Sequence, residues 1–181
     1  MTSKEPQTPD RTDDVDHFIA QRAKESPDID TAGMAIFGRI HRIATRVGPH
    51  MEALFARHGL DRGEFDVLAT LQRSGPPYKL SPTALYTSLM LSSGGLTHRL
   101  KRLEAAGLIR REPSPDDGRS LIVALTDEGQ HRTSQAFNDD MQMEASWLAA
   151  LTAEERRALA DLLRKLGFAT PTFDKNSDPP P

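Results

Sequence analysis

The sequence predicts a mainly α-helical chain, interrupted once and late by a small β-hairpin. Three observations carry that reading. Apolar residues recur at helical spacing, as in Ile36, Ile40, Ile43, Val47, Met51 and Leu54. Capping signals mark helix starts: Asp61 with Glu64, Ser81 with Pro82, and Thr152 with Glu155. The period then changes between Leu108 and Leu125, where two extended runs flank the turn Pro115-Asp116-Asp117-Gly118.

Residues 1–14 are polar, with almost nothing apolar, and are expected to form a disordered tail. A short helix is predicted over 15–24, with Val15, Phe18 and Ile19 on one side, and Ser26-Pro27-Asp28 breaks it. Residues 15–30 are therefore an added N-terminal helix and linker. One long helix follows over 31–60, kinked near Gly48-Pro49 and stopped by Gly59. The Asp61 capping box opens the next helix, which buries Phe65, Leu68 and Leu71 and ends at Gly75-Pro76-Pro77. Ser81-Pro82 opens a short helix reaching about Ser88, and Ser92-Ser93 caps another that ends at Gly107. After the hairpin, Thr126 caps a long helix reaching toward Ala150. Thr152 caps a last helix bearing Leu159, Leu162, Leu163 and Leu166. The end, 169–181, finishes in three prolines and reads as a second disordered tail. This order is that of a winged helix-turn-helix over 61–126. Long helices over 31–60 and 127–168 flank it.

Composition narrows the function. At 181 residues the chain suits one domain with additions. It has no cysteine, which excludes disulfides, thiolate metal sites and cysteine redox sensing. No apolar run approaches a membrane span, and the start lacks an apolar secretory stretch, so a cytoplasmic location is expected. No H-E-x-x-H, phosphate loop or nucleophile elbow is present, so neither an enzyme nor a bound metal or cofactor is expected. His41 and His50 lie nine residues apart on a kinked helix, poor geometry for a shared ion. The net charge of −3 argues against binding polyanions through the whole surface, so any DNA contact must come from a placed cluster.

Such a cluster exists. The helix over about 93–106 buries Leu96, Leu100 and Leu103. Its other side carries Gly94, Gly95, His98, Lys101 and Arg102, with Thr97 and Arg99 toward the edges. From Leu96 to Arg111 the basic residues are Arg99, Lys101, Arg102, Arg110 and Arg111 against one acid, Glu104. Arg and Lys reach guanine edges or phosphates, and Thr and Ser contact base edges. Ser92, Ser93 and the glycines leave backbone N–H groups open to a phosphate at the helix start. At the hairpin tip, Arg119 is placed to enter the minor groove with Asp117 orienting it. Two plainer alternatives stay open: basic residues solvating a surface helix, and a winged-helix module that binds protein instead of DNA.

The text "LSPTALYTSLMLSSGGLTHRLKRLEAAGLIRREPSPDDGRSLIVALTDEG" resembles the MarR family of bacterial transcription regulators, and the likeness of helix order extends over 31–167. The resemblance implies a homodimer, with the flanking helices as its base and two winged lobes on successive major grooves of a palindrome. It places Ser92, Ser93, Thr97, His98, Arg99 and Arg102 on the recognition helix, Arg119 at the wing arginine and Asp117 as its partner. Gly118 stands where relatives often carry a second basic residue. A narrower likeness, in "FDVLATLQRSGPPYKLSPT", is to a branch that includes urate-responsive regulators. It implies an effector site of Asp66, Arg73 and Arg111, plus an aromatic residue from the added helix. Phe18 fills that last role here, because the only Trp is Trp147. Two arginines would hold a small aromatic acid or urate-like anion through charge-assisted hydrogen bonds. Otherwise, Asp66 and Arg73 form a loose surface ion pair. Arg111, between recognition helix and wing, is expected to pass ligand binding to the DNA-reading elements of a repressor.

Overall fold

The computed structural model describes residues 12–90, 95–113 and 121–171. Among these described residues, seven helices and three strands follow in order: α1 (Asp14–Glu25), α2 (Ala32–Arg57), α3 (Arg62–Arg73), β1 (Lys79–Leu80), α4 (Pro82–Ser88), α5 (Leu96–Ala105), β2 (Ile109–Pro113), β3 (Leu121–Leu125), α6 (Asp127–Leu148) and α7 (Ala153–Ala169). The tail expected over 1–14 lies outside the described residues as far as residue 11. Asp13 and Asp14 instead belong to α1, which Asp13 caps in a reciprocal box with Asp16. At the other end, α7 continues through Ala169, and 172–181 lie outside the described residues.

Local chemistry sets most element starts. The expected capping boxes of Asp61 with Glu64 and Thr152 with Glu155 form, and Ser81 caps α4 with Pro82 in its first turn. Thr126 caps α6 by accepting the Gly129 N–H. The start of α5 differs from expectation. Its N-cap is Gly95, at φ 76°, and no side chain caps it. A side-chain cap from Ser92-Ser93 would sit a turn too early for a helix beginning at Leu96. Helix α2 runs through Pro49.

Strand β1 is an element that the sequence reading lacked. It pairs antiparallel with β3, and β3 pairs antiparallel with β2, giving the order β1-β3-β2. Two residues flanked by prolines carry too little pattern to announce a strand. The core lies where this sheet meets α2 through α6. It is built from Leu54, Phe55, Val67, Leu68, Leu71, Leu85, Leu100, Leu103, Leu108, Ile109, Val123 and Leu125. Phe55 and Phe65 stack at 4.2 Å between ring centroids, fixing α3 on α2.

Helix α1 is joined to α2 by charge. Arg39 reaches Asp13 at 3.0 Å and Asp16 at 2.6 Å, and Arg42 pairs with Asp14. The Arg39 hydrogen bond is the largest cause holding the Asp16 carboxyl below its ordinary range. By contrast, no residue of α7 is buried within the single chain, and Leu159, Leu162, Leu163 and Phe168 are exposed along it. Met34, Ile36, Phe37, Ile40 and Ile43 are similarly exposed on the first half of α2. Among the described residues, no helix is long and apolar enough to cross a membrane.

Candidate nucleic-acid interface and effector cavity

Helices α4 and α5 form the helix-turn-helix, and β2 and β3 are the stem of the wing. On α5, Leu96, Leu100 and Leu103 face the core as expected. Thr97, His98 and Lys101 are exposed on the outer face. The two arginines of this helix turn toward α3. Arg102 Nε lies 3.0 Å from Glu64 Oε1, and its Nη1 lies 3.4 Å from Asp61 Oδ2. Arg99 lies against Gly63, where an added Cβ would overlap its guanidinium. The capping box that starts α3 therefore also holds the recognition helix.

The local basic excess is largely compensated in the fold. Arg110 approaches Glu112 at 3.2 Å, and Lys79 pairs with the same carboxylate. Those two bonds, Lys79 first, hold the Glu112 carboxyl below its ordinary range. Arg111 lies 3.3 Å from Glu104, tying β2 to α5. Its buried Nε and Nη2 have no hydrogen-bond partner among the described residues. Among the described residues Lys101 has no acidic partner, which leaves it with Thr97 and His98 as the outward set. Ser92, Ser93, Asp117 and Arg119 lie outside the described residues.

The four residues expected to share an effector site are not brought together. Asp66 and Arg73 line one cavity. Phe18 lies in a separate groove between α1 and α2, with Val15, Met34, Phe37 and His41. Arg111 lines neither space, being held by Glu104 on the wing side. The resemblance assigns these residues position by position along the chain, which does not fix which way each side chain turns.

The cavity holding Asp66 and Arg73 lies between α2, α3 and α6, partly open to solvent, and measures about 500 Å³. Its walls are mainly apolar, formed by Met51, Phe55, Phe65, Ala69, Met90, Phe137 and Met141, with Gln72 as a neutral polar side chain. Asp66 is buried and accepts the Met90 N–H at 3.2 Å. Arg73 donates to the Ser88 carbonyl and lies 3.9 Å from Asp66. Arg62, Asp140 and Glu144 also line the cavity. Those three escaped the sequence reading. A signal was present, since Phe137, Asp140, Met141 and Glu144 recur at the spacing of one helix face.

Residues 58–120 match the model of the MarR family. The chain is 35% identical over 153 residues to the HTH-type transcriptional regulator PecS of Dickeya dadantii, covering 84% of this chain and 92% of PecS. The fold is shared with a mutant MarR from E. coli complexed with operator DNA, at TM-score 0.64 and 24% identity, over 77% of this chain and 98% of that one. It is also shared with Bordetella bronchiseptica BpsR, whose DNA binding is regulated by 6-hydroxynicotinic acid. That match has TM-score 0.58 and 23% identity, over 71% of this chain and 92% of that one. The chain belongs to the MarR family of DNA-binding winged helix-turn-helix transcriptional regulators, not to a family of enzymes.

Proposed function

We propose that this regulator is a cytoplasmic homodimeric repressor, released from a palindromic operator when a small ring compound enters the cavity between α2, α3 and α6. One observation carries the reading: the first turn of α3 touches both sites. Arg62 lines the cavity. Its neighbours Asp61, Gly63 and Glu64 hold Arg102 and Arg99 of the recognition helix. A ligand that shifts this turn shifts α5 with it. Release requires that the ligand bind the DNA-free arrangement better than the DNA-bound one. Exposed apolar residues on α2 and α7 supply the surface for a second copy, which would set two α5 helices about one DNA turn apart. Thr97, His98 and Lys101 are assigned to DNA, joined by Ser92, Ser93 and Arg119 with Asp117 as its partner. Arg99 and Arg102 are assigned to positioning α5.

The test is selection of bound duplexes from a random library, followed by titration of ring compounds into the complex. The expected result is a palindrome with half-sites one turn apart, bound by a dimer and released by at least one compound. Arg62→Ala should blunt that release. Recovery of no specific duplex, or binding by a monomer, would overturn the reading. A reporter driven from the selected site tests repression, and raised expression would mark an activator instead.

A further inference from the structure

Among the described residues, one buried polar atom on a residue lining the cavity lacks a hydrogen-bond partner. Asp140 is 5% exposed, and its Oδ1 has no hydrogen-bond partner among the described residues. Buried carboxylate oxygens are ordinarily satisfied, so an orphan beside a cavity marks a position that a ligand atom can fill. The charges around the cavity can be followed residue by residue. Asp66 and Arg73 compensate each other, and they also engage the Met90 N–H and the Ser88 carbonyl. Helix α6 contributes two carboxylates, Asp140 and Glu144, and α3 contributes the guanidinium of Arg62. The charges of Glu144 and Arg62 both act on Asp140. Helix α2 adds only Met51 and Phe55 there. His58 at the end of α2 lies 3.0 Å from Asp139, not from Asp140. The unpartnered acceptor therefore lies beside Glu144 and Arg62 in a cavity whose remaining polar groups are Asp66, Arg73 and Gln72 and whose other walls are apolar.

We propose that the cavity selects a ring compound carrying an O–H or N–H group that donates to Asp140, in preference to an anion. This rests on reading the cavity as the effector site, and it names that site's ligand chemistry. The apolar walls, with Phe55, Phe65 and Phe137 among them, receive the ring. A donor satisfies Oδ1, and Glu144 close by favours a positive hydrogen over a negative oxygen. An anion would meet three carboxylates, with one of the two arginines already engaged. An anionic effector was expected on the premise that Arg73 and Arg111 were available to it. Burial, the Glu144 charge and the weaker opposing Arg62 charge leave the Asp140 carboxyl raised to about 6. A donor that prefers the carboxylate therefore loses affinity as Asp140 protonates below that pH.

The experiment needs no DNA, so its failure is separable from failure of the repressor reading. Calorimetric titration of the full-length protein would use 2-naphthol, 2-methoxynaphthalene and 2-naphthoate, which offer a donor, no donor and an anion. At about pH 7.5, 2-naphthol should bind roughly tenfold or more tightly than either analogue, the scale of a hydrogen bond to a charged acceptor. That preference should vanish in Asp140→Leu. It should fall several-fold in Asp140→Asn, whose neutral amide oxygen is a weaker acceptor, and this variant serves where Asp140→Leu does not fold. Lowering the pH to about 5 should weaken 2-naphthol several-fold in the wild type but not in the variant. Equal binding of naphthol and its methyl ether, tighter binding of naphthoate, no binding of any probe, or an unchanged preference in both variants would overturn the proposal.

Discussion

The guanidinium of Arg102 lies 3.0 Å from the carboxylate of Glu64, a side chain only 2% exposed at the start of α3. Glu64 also accepts the Asp61 N–H, so one carboxylate both caps α3 and anchors α5. Arg102→Ala removes the guanidinium and leaves that buried charge with less compensation. Arg102 itself is half exposed, which discounts the pair below a fully buried one. The expected loss is about 1–3 kcal/mol of stability, measured by urea unfolding. A residue serving DNA alone would leave the unfolding midpoint unchanged.

Lys101 should behave in the opposite way. It is exposed on the outer face of α5, and surface substitutions away from such anchors shift stability by about 0.5 kcal/mol or less. Lys101→Ala should therefore keep the unfolding midpoint. It should weaken DNA binding across sequences and reduce the log–log salt slope by about one. Anisotropy titrations over a salt series check this. An unchanged slope would remove Lys101 from the phosphate contacts.

Two glycines separate backbone crowding from side-chain crowding. A Cβ on Gly129, in the first turn of α6, would overlap the Leu108 carbonyl oxygen. That oxygen accepts from the Thr126 N–H and hydroxyl, so it has no easy retreat. Gly129→Ala should cost roughly 1–3 kcal/mol or more. A Cβ on Gly63 would meet only the far end of Arg99, which can swing away. Gly63→Ala should cost under about 1 kcal/mol while weakening DNA binding through a displaced α5. Parallel thermal melts and anisotropy titrations of the two variants distinguish the cases.

These residues also show how far the sequence could be read. Helix starts were legible where a side chain caps, because a cap is a contact between residues three apart, as with Asp61 and Glu64, and not at α5, which Gly95 begins without one. The recognition helix was legible because Leu96, Leu100 and Leu103 obey one period. Charge partners were not. The basic run from Leu96 to Arg111 appeared nearly unopposed, but Glu64 and Asp61 come from another helix and Glu112 lies one residue beyond the run. The cavity was half legible. Asp66 and Arg73 share one helix, whereas Asp140 joins them from a helix more than sixty residues later, which only tertiary packing brings near.

The exposed stripe of α7 predicts a loss of assembly. Leu162 is 65% exposed in the single chain and sits among Leu159 and Leu163. If a second copy covers this face, Leu162→Asp places a charge in the apolar contact. The protein should then sediment as a monomer at micromolar concentration and lose most of its specific DNA affinity. Its lobe should keep its helical circular dichroism, because no α7 residue is buried in the lobe core. A Leu162→Asp protein that remains dimeric would place the interface elsewhere.

Asp140 gives a stability effect whose sign depends on pH. Its carboxyl is raised from the ordinary 3.8 to about 6, first by burial and then by Glu144, with Arg62 opposing. The folded protein therefore holds a proton that the unfolded chain has released over roughly pH 4–6. The stability from this extra proton is fully present below about pH 4 and is lost as the pH rises through about 6. Above that, the wild type keeps an ionised carboxylate in a poorly solvated place. Asp140→Asn is neutral throughout and escapes that loss. At about pH 7.5 it should be more stable than the wild type by roughly 1–3 kcal/mol, about two pKa units of differential interaction. The advantage should shrink toward zero near pH 4. Urea unfolding of both proteins at one fixed concentration, across that pH range, reads the difference without dimer dissociation confounding it. A gap that stays constant with pH would mean that the substitution acts through packing and not through the charge of Asp140.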